Sequence, residues 1–385
     1  MRAITISILA ITAFGPLIAC DDAKAQDRTI QTEKAKIHVK TVAKGLEYPW
    51  ALAFLPDGNM LVTERENGHI RVVTADGVIS QPVTGVPAVL GDGQGGLLDL
   101  ILDPDFSNNR HLYFSFSQAG EDGKNSTAVA RARLSDDNAK LENLKIIFVQ
   151  LPKENSSLHF GSRLVFDREG HLFIGLGERS DANLRGQAQQ LNSHLGKLVR
   201  INADGSVPKD NPFTSTADAR PEIWSYGHRN IQGAALNPVT GVVWVHEHGP
   251  RGGDEINIPL AGKNYGWPLV SYGVNYIGTK INEGKATGPG IANPVHVWKP
   301  SIAPSGMAFY TGDAIPAWTG NLFIGGLAIP KLVRLTLNGD KIVGEEAILA
   351  DEETRIRDVR QGPDGALYLL TDDSDGEIWR ISPAK

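Results

Sequence analysis

The chain has 385 residues, of which 42 are Gly and 22 are Pro. That share is well above the ordinary ~12% for the two together, so turns are frequent. Hydrophobic residues make up 41%, enough for a core, which excludes general disorder. A single cysteine excludes a disulfide scaffold, a zinc-finger array and an iron–sulfur centre built on this chain alone. A net charge of −6 argues against nucleic acid as a main partner, because phosphate binding needs a basic face.

In chain order, the first segment carries one positive charge, Arg2, and then an apolar run over residues 4–19. It reads as an export signal, too short for a membrane span of ~18–20 residues. Leu17-Ile18-Ala19-Cys20 resembles a bacterial lipobox, in which Cys20 is lipidated and becomes the mature N-terminus. Cleavage after Ala25, at Ala23-Lys24-Ala25, is the other reading. Both send the chain to the periplasm, the first with a lipid anchor. Residues 1–25 are thus leader, the mostly polar residues from Asp21 to about Gln31 are expected to be a flexible tether, and 32–385 form one domain.

That domain repeats. Residues 50–64, 98–116, 164–177, 234–247, 307–326 and 359–372 each show a β-rich stretch, a turn rich in Pro, Asp, Gly or Asn, and a second β-rich stretch. Each reads as a hairpin, and several continue into a third strand. Six units of about 60 residues, four short strands each plus long loops, predict an all-β, six-bladed β-propeller. Its loops converge on the mouth of a central channel. The long segments between Gly177 and Ala234, and between Glu247 and Met307, are therefore expected to be functional.

Five clusters carry polar chemistry. Residues 91–96, GDGQGG, can let backbone approach a ligand closely, but the spacing is not a dinucleotide fingerprint. His159 stands at a blade edge, open between a general base and a structural histidine. Arg229 and Asn230 offer adjacent donors for a carboxylate or quinone oxygen. Residues 246–268 combine carboxylates, glycine turns and aromatics in a pattern that suits a hard cation better than zinc. On an extended strand Arg355 and Arg357 point the same way, as a double guanidinium clamp for a polyanion.

In this order, the clusters resemble the soluble pyrroloquinoline quinone (PQQ)-dependent sugar dehydrogenases, and more closely their aldose sugar dehydrogenase branch. The resemblance runs from about Leu46 to Ile381. Its most specific pieces are GPRGGDEIN at 249–257, GKNYGWP at 262–268, YGHRN at 226–230, PSGMAFY at 304–310 and RIRDVRQGPDG at 355–365. It implies a six-bladed propeller that oxidises aldoses at C1 to the lactone, passing hydride to PQQ and then to an external electron acceptor. It implies His159 as base and Gln94 as a substrate or cofactor contact beside it. Arg229 and Asn230 would meet the quinone carbonyls, with Arg229 stabilising the reduced cofactor. Gly249 and Pro250 would be carbonyl ligands of a Ca²⁺ that touches PQQ, Glu255 and Tyr265 would hold a second, structural Ca²⁺, and Tyr276 would stand near substrate. Arg355 and Arg357, flanking Ile356, would face the PQQ carboxylates. The glucose dehydrogenase branch has a Lys where Ala328 stands here, so contact there is expected from backbone at Leu327 and Ala328.

A calcium-dependent propeller lactonase and a non-enzymatic propeller binding module are the rival readings. The arginines weigh against the lactonase, since a neutral lactone needs no such positive field. Whether the chain is a monomer or a homodimer is left open by the sequence.

Overall fold

The computed structural model describes residues 27–384. Residues 1–25, read as a leader from the sequence, with Cys20 and Ala25, lie outside them. Among the described residues there are six antiparallel sheets. The first strands of the sheets are Pro49–Phe54, Leu97–Leu102, Gly161–Phe166, Ile231–Leu236, Pro304–Phe309 and Ile356–Gln361. Each packs against the next, and Ile356–Gln361 returns to Pro49–Phe54, so the six enclose a central channel. This is a six-bladed β-propeller, with strands running outward from the axis in each blade.

The blades are not uniform. Blades two to five have four strands each. The first has three, Pro49–Phe54, Met60–Glu64 and His69–Val73, with only a single bridge, Val73 to Ile79, where a fourth would pair. The sixth has five, because Lys36–Leu46 pairs with Gly376–Pro383 near the other terminus and Arg28–Gln31 pairs outside it. Residues 28–31 are therefore strand rather than the flexible tether expected of them. Joining N-terminal and C-terminal strands in one sheet closes the ring without leaving a seam.

Local sequence explains the elements. The hairpin turns at Asp57-Gly58, Glu169-Gly170 and Asp364-Gly365 each place a glycine at positive φ, +86°, +83° and +73°. Only glycine takes that conformation freely. The inner strands are buried on both faces between neighbouring blades, so they lack polar alternation. The outermost long strand, Lys36–Leu46, does alternate. Between the first two blades Trp50, Leu61, Ile70, Leu100, Phe114 and Phe116 form one continuous buried cluster. Each such side chain contributes about 1.5–3 kcal/mol of burial.

All six inner strands break register near their third residue. Those third residues are Ala51, Asp99, Arg163, Gly233, Gly306 and Asp358. Arg163 bonds Asp99 at 3.0 Å and Asp358 at 3.1 Å, and Arg360 bonds both at 2.8 Å. A Cβ on Gly306 would stand 2.4 Å from an Asp358 oxygen, so glycine there leaves room for the ion cluster. The cluster divides the channel. On one side lies an open apolar recess lined by Leu52, Phe54, Phe166 and Phe309. On the other lies a polar cleft.

Candidate active site

The polar cleft is about 270 Å³. The second residues of four inner strands, Trp50, Leu98, Gln232 and Arg357, line it. Loops add Arg65, Gln94, Phe160, His248, Tyr276, Leu327, Ala328 and Arg355. Residues from all six blades and their connections thus share one mouth. Sites distant in sequence meet because every inner strand enters the channel from the same end.

His159 sits beside this cleft with its backbone at φ +48°. A bulky residue held there costs about 1–3 kcal/mol, so neighbouring bonds must fix it. Gln94 supplies one, its Oε1 accepting the His159 amide at 2.8 Å. The side chain is 5% exposed, and its Nδ1 lies 2.6 Å from Glu178 Oε2. An ionised carboxylate can only accept, so Nδ1 carries the proton and Nε2 keeps its lone pair. Burial and the nearby Arg229 charge lower the His159 pKa below its ordinary value, and Glu178 only partly opposes them. Burial acts to raise the Glu178 carboxyl, but the His159 ring, Arg229 and the Ser180 amide hold it below the usual range. The pair is a neutral imidazole aimed by a carboxylate, which is the arrangement a general base requires.

Arg229 follows His228, whose ring bonds Glu247 at 2.8 Å and stacks on Tyr265. The Arg229 amide donates to Glu247 at 2.5 Å, and its Nη1 donates to the carbonyls of His248 and Gly249 at 3.0 and 2.7 Å. Its guanidinium lies 5.2 Å over Trp267. Asn230 spends its Oδ1 on the Gly161 amide at 3.0 Å. Arg229 Nε and Asn230 Nδ2 are buried and have no partner. An unmet buried donor costs about 1–3 kcal/mol, which a ligand carrying acceptor oxygens would recover.

Next to the cleft, and sharing His248 with it, is a cavity of about 20 Å³ lined by Glu247, Glu255, Gly249, Pro250, Tyr265 and Ser271. Glu255 is half-buried, and desolvation together with the Glu247 charge pushes its pKa well above the ordinary glutamate range. Two carboxylates, Glu247 buried and Glu255 half-buried, facing a void of atomic size fit a hard cation with oxygen ligands. Two expected ligands are constrained. The Tyr265 hydroxyl donates to Ile258 O and accepts from Leu260 N, which leaves its carbonyl as the available donor atom. The Gly249 carbonyl already accepts from Arg229.

At the opposite wall Asp372 bonds Arg355 at 2.7 Å and Arg357 at 2.9 Å. Burial would raise its pKa, but the two guanidiniums outweigh it and hold it at about 2. Both arginines line the cleft, Arg357 nearly buried and Arg355 half exposed.

These features coincide with one known family. The family described as glucose/sorbosone dehydrogenase matches residues 46–380. The chain belongs to the glucose/sorbosone dehydrogenase family. An aldose sugar dehydrogenase of Escherichia coli (strain K12) is 50% identical over 350 residues, 91% of this chain and 94% of the relative. A glucose dehydrogenase crystal structure is 54% identical, with a TM-score of 0.87 over 90% of this chain and 99% of that one. The PQQ-bound aldose sugar dehydrogenase of Streptomyces coelicolor is 30% identical, with a TM-score of 0.76 over 90% of this chain and 98% of that one.

In this member of the glucose/sorbosone dehydrogenases the sequence-based residues fall into place unevenly. Gln94, Tyr276, Leu327, Ala328, Arg355 and Arg357 line the cleft. Arg229, Gly249, Pro250, Glu255 and Tyr265 line the small cavity. Ile356 does not face either; its side chain is fully buried between blades, and its carbonyl accepts from Ser305. The amides of Leu327 and Ala328 donate to Ile302 at 3.0 and 2.9 Å, so backbone contact there is left to carbonyls. His246 and His248 do not converge. His246 is fully buried against Gly233, while His248 reaches the cleft with Nε2 donating to Pro304 O. The sequence reading passed over Glu178, Arg65 and Asp372, and took Glu247 only as one of the carboxylates of the 246–268 cluster. The carboxylates all stand at or just beyond the end of a second strand, a recurring position in the hairpin repeat that could have marked them.

Proposed function

We propose that this enzyme oxidises aldose sugars at C1 to the lactone with PQQ and Ca²⁺ as cofactors, passing the electrons to an external acceptor. The observation that carries the reading is the meeting, at one channel mouth, of a carboxylate-aimed histidine, two unpartnered buried donors and a cluster of arginines. The residues fit the cofactor. Arg355 and Arg357 would face its carboxylates, Arg229 Nε and Asn230 Nδ2 would meet acceptor oxygens, the Gly249–Pro250 carbonyls would hold the Ca²⁺ beside it, and Glu247, Glu255 and the Tyr265 carbonyl would hold a second Ca²⁺. When bound, the quinone accepts the hydride that leaves C1.

The chain's own contribution is positional and acid–base. His159 Nε2 takes the proton of the anomeric hydroxyl, so the C1–O bond gains its second component as the C1–H bond breaks. Glu178 stabilises the imidazolium that results. Arg229 supplies positive charge beside the site, and Phe160 and Trp50 limit water in the cleft. The named relatives support the sugar and the cofactor: one is an aldose sugar dehydrogenase, and another is PQQ-bound. Export through residues 1–25 is part of the same proposal.

The test is reconstitution. Purified metal-free protein given PQQ and CaCl₂ is expected to reduce a redox dye when glucose or another aldose is added. Absence of sugar-dependent dye reduction at saturating PQQ overturns the reading.

A further inference from the structure

The cleft holds one more cation than the paired arginines. Arg65 follows the Met60–Glu64 strand and lines the same cleft as Arg355 and Arg357. Its backbone is tied on both sides, the amide donating to Tyr48 O at 3.1 Å and the carbonyl accepting the Leu97 amide at 2.9 Å. Its guanidinium lies 5.1 Å over the Tyr48 ring. Nη2 donates to Glu66 at 2.7 Å, while Nε is buried with no partner. Gly96 makes the seat possible: a Cβ there would stand 2.2 Å from Arg65 O and 2.6 Å from its Cγ.

Charge balance then decides what the group is for. Three guanidiniums share the wall, and the buried carboxylate among them is Asp372, already bonded to two. Glu66 is 44% exposed, so water screens its charge. Arg357 has its pKa lowered by burial, and Arg65 adds to that lowering while Asp372 opposes it. Like charges gathered in a concave, poorly hydrated wall are stable when an anion joins them.

We propose that Arg65 is a third guanidinium of the anion site, binding a carboxylate of the cofactor beside Arg355 and Arg357. This rests on the PQQ reading and assigns that site a residue from the first blade. It also gives the glycine-rich segment 91–96 a purpose, since Gly96 seats the arginine. Tyr48 and the two backbone bonds pre-position the side chain, so little freedom is lost on binding.

The experiment is a PQQ titration of metal-reconstituted apoprotein, followed by quenching of tryptophan fluorescence, over a range of NaCl concentrations. The Kd of Arg65→Gln is expected to rise about 10- to 100-fold, the scale of one charge-assisted hydrogen bond. Its affinity is expected to fall less steeply with salt than that of the unsubstituted chain, which a merely structural role would not produce. Arg65→Lys keeps the charge but not the fork, and is expected to recover part of the loss. Equal Kd and equal salt dependence in Arg65→Gln and the unsubstituted chain overturn the proposal. If Arg65→Gln does not fold, unchanged affinity in Arg65→Lys overturns it instead. Failure of the unsubstituted chain itself to bind PQQ overturns the cofactor reading, a separate result.

Discussion

His159 Nδ1 and Glu178 Oε2 lie 2.6 Å apart, and that contact decides which nitrogen of the ring can act. Because Glu178 accepts, Nε2 is the basic atom. His159→Ala removes it. Turnover is expected to fall about 10²–10⁴-fold, the usual worth of a general base. PQQ affinity in a fluorescence titration is expected to change little, because the anion site stands on other residues. Loss of PQQ binding in His159→Ala would make the residue a cofactor ligand instead.

The same pair fixes a pH dependence. Burial and Arg229 lower the His159 pKa below its ordinary 6.5. The base is therefore already neutral at pH 7, and kcat/KM is expected to be level there, with its acid limb centred below pH 6.5. Glu178→Gln removes the charge that partly opposes this lowering, so the limb moves further down. An amide can also donate to Nδ1 and place the proton on Nε2, the wrong tautomer, so kcat is expected to fall as well. A limb that moves up, or an unchanged kcat, would contradict the assignment.

Glu255 gives a stability prediction with a definite sign. Its folded pKa is raised well above 4.5 by burial and by Glu247. The folded state then binds a proton that the unfolded state releases, so this contribution is complete below pH 4.5 and is lost as pH rises towards the folded value. In EDTA the melting temperature is expected to fall as pH rises above 4.5. Ca²⁺ supplies the missing charge and is expected to remove that fall, adding about 2.7 kcal/mol at a hundredfold excess over Kd. In Glu255→Gln the Ca²⁺ increment is expected to shrink. Superimposed melting curves in EDTA and CaCl₂ would leave the cavity without a cation.

Five of the six hairpins were legible because their turns place a glycine at positive φ, at Gly58, Gly170, Gly241, Gly320 and Gly365, while the second turns on Arg110 at φ +54° and showed through its Asp, Pro and Asn residues. His159, Arg229 and the Arg355/Arg357 pair were legible because chemically distinctive residues stand at blade edges. Ile356 was misread by proximity: alternate strand residues face opposite ways, so the neighbour of two cleft arginines must enter the core. Residues 28–31 were misread because they are short and polar, and they are held as strand by pairing with residues 36–39, which are themselves anchored to the C-terminal strand by contacts the local sequence does not display. Glu178 was passed over, and the bond of Glu247 to His228 went unseen, because both depend on burial and on partners about twenty residues away, which composition does not display.

Residues 1–25 carry a prediction of their own. With Cys20 lipidated, Cys20→Ala is expected to move the protein from the membrane fraction to the soluble periplasmic fraction on cell fractionation. An unchanged distribution would favour cleavage after Ala25.

The ion cluster in the channel offers the last test. Arg163 bridges Asp99 and Asp358, donates from Nε to Gln232 O at 3.0 Å, and lies 4.2 Å under the Trp50 ring. Asp99 and Asp358 also accept the amides of Leu164 and Leu52, so their carboxylates cannot turn away to water. Arg163→Met leaves two buried carboxylates sharing Arg360 alone, and is expected to cost about 3–5 kcal/mol in urea unfolding. Adding Asp358→Asn removes the excess charge and keeps an acceptor for Leu52, so the double variant is expected to recover a large part of that loss. Because Trp50 and Gln232 are also walls of the cleft, Arg163→Met is expected to weaken PQQ binding too, whereas the double variant should regain stability without regaining that affinity. Recovery of both together would mean that charge balance, rather than the contacts under Trp50 and Gln232, is what the cleft takes from Arg163. A loss below about 1 kcal/mol in the single variant would mean that water reaches the cluster and screens it.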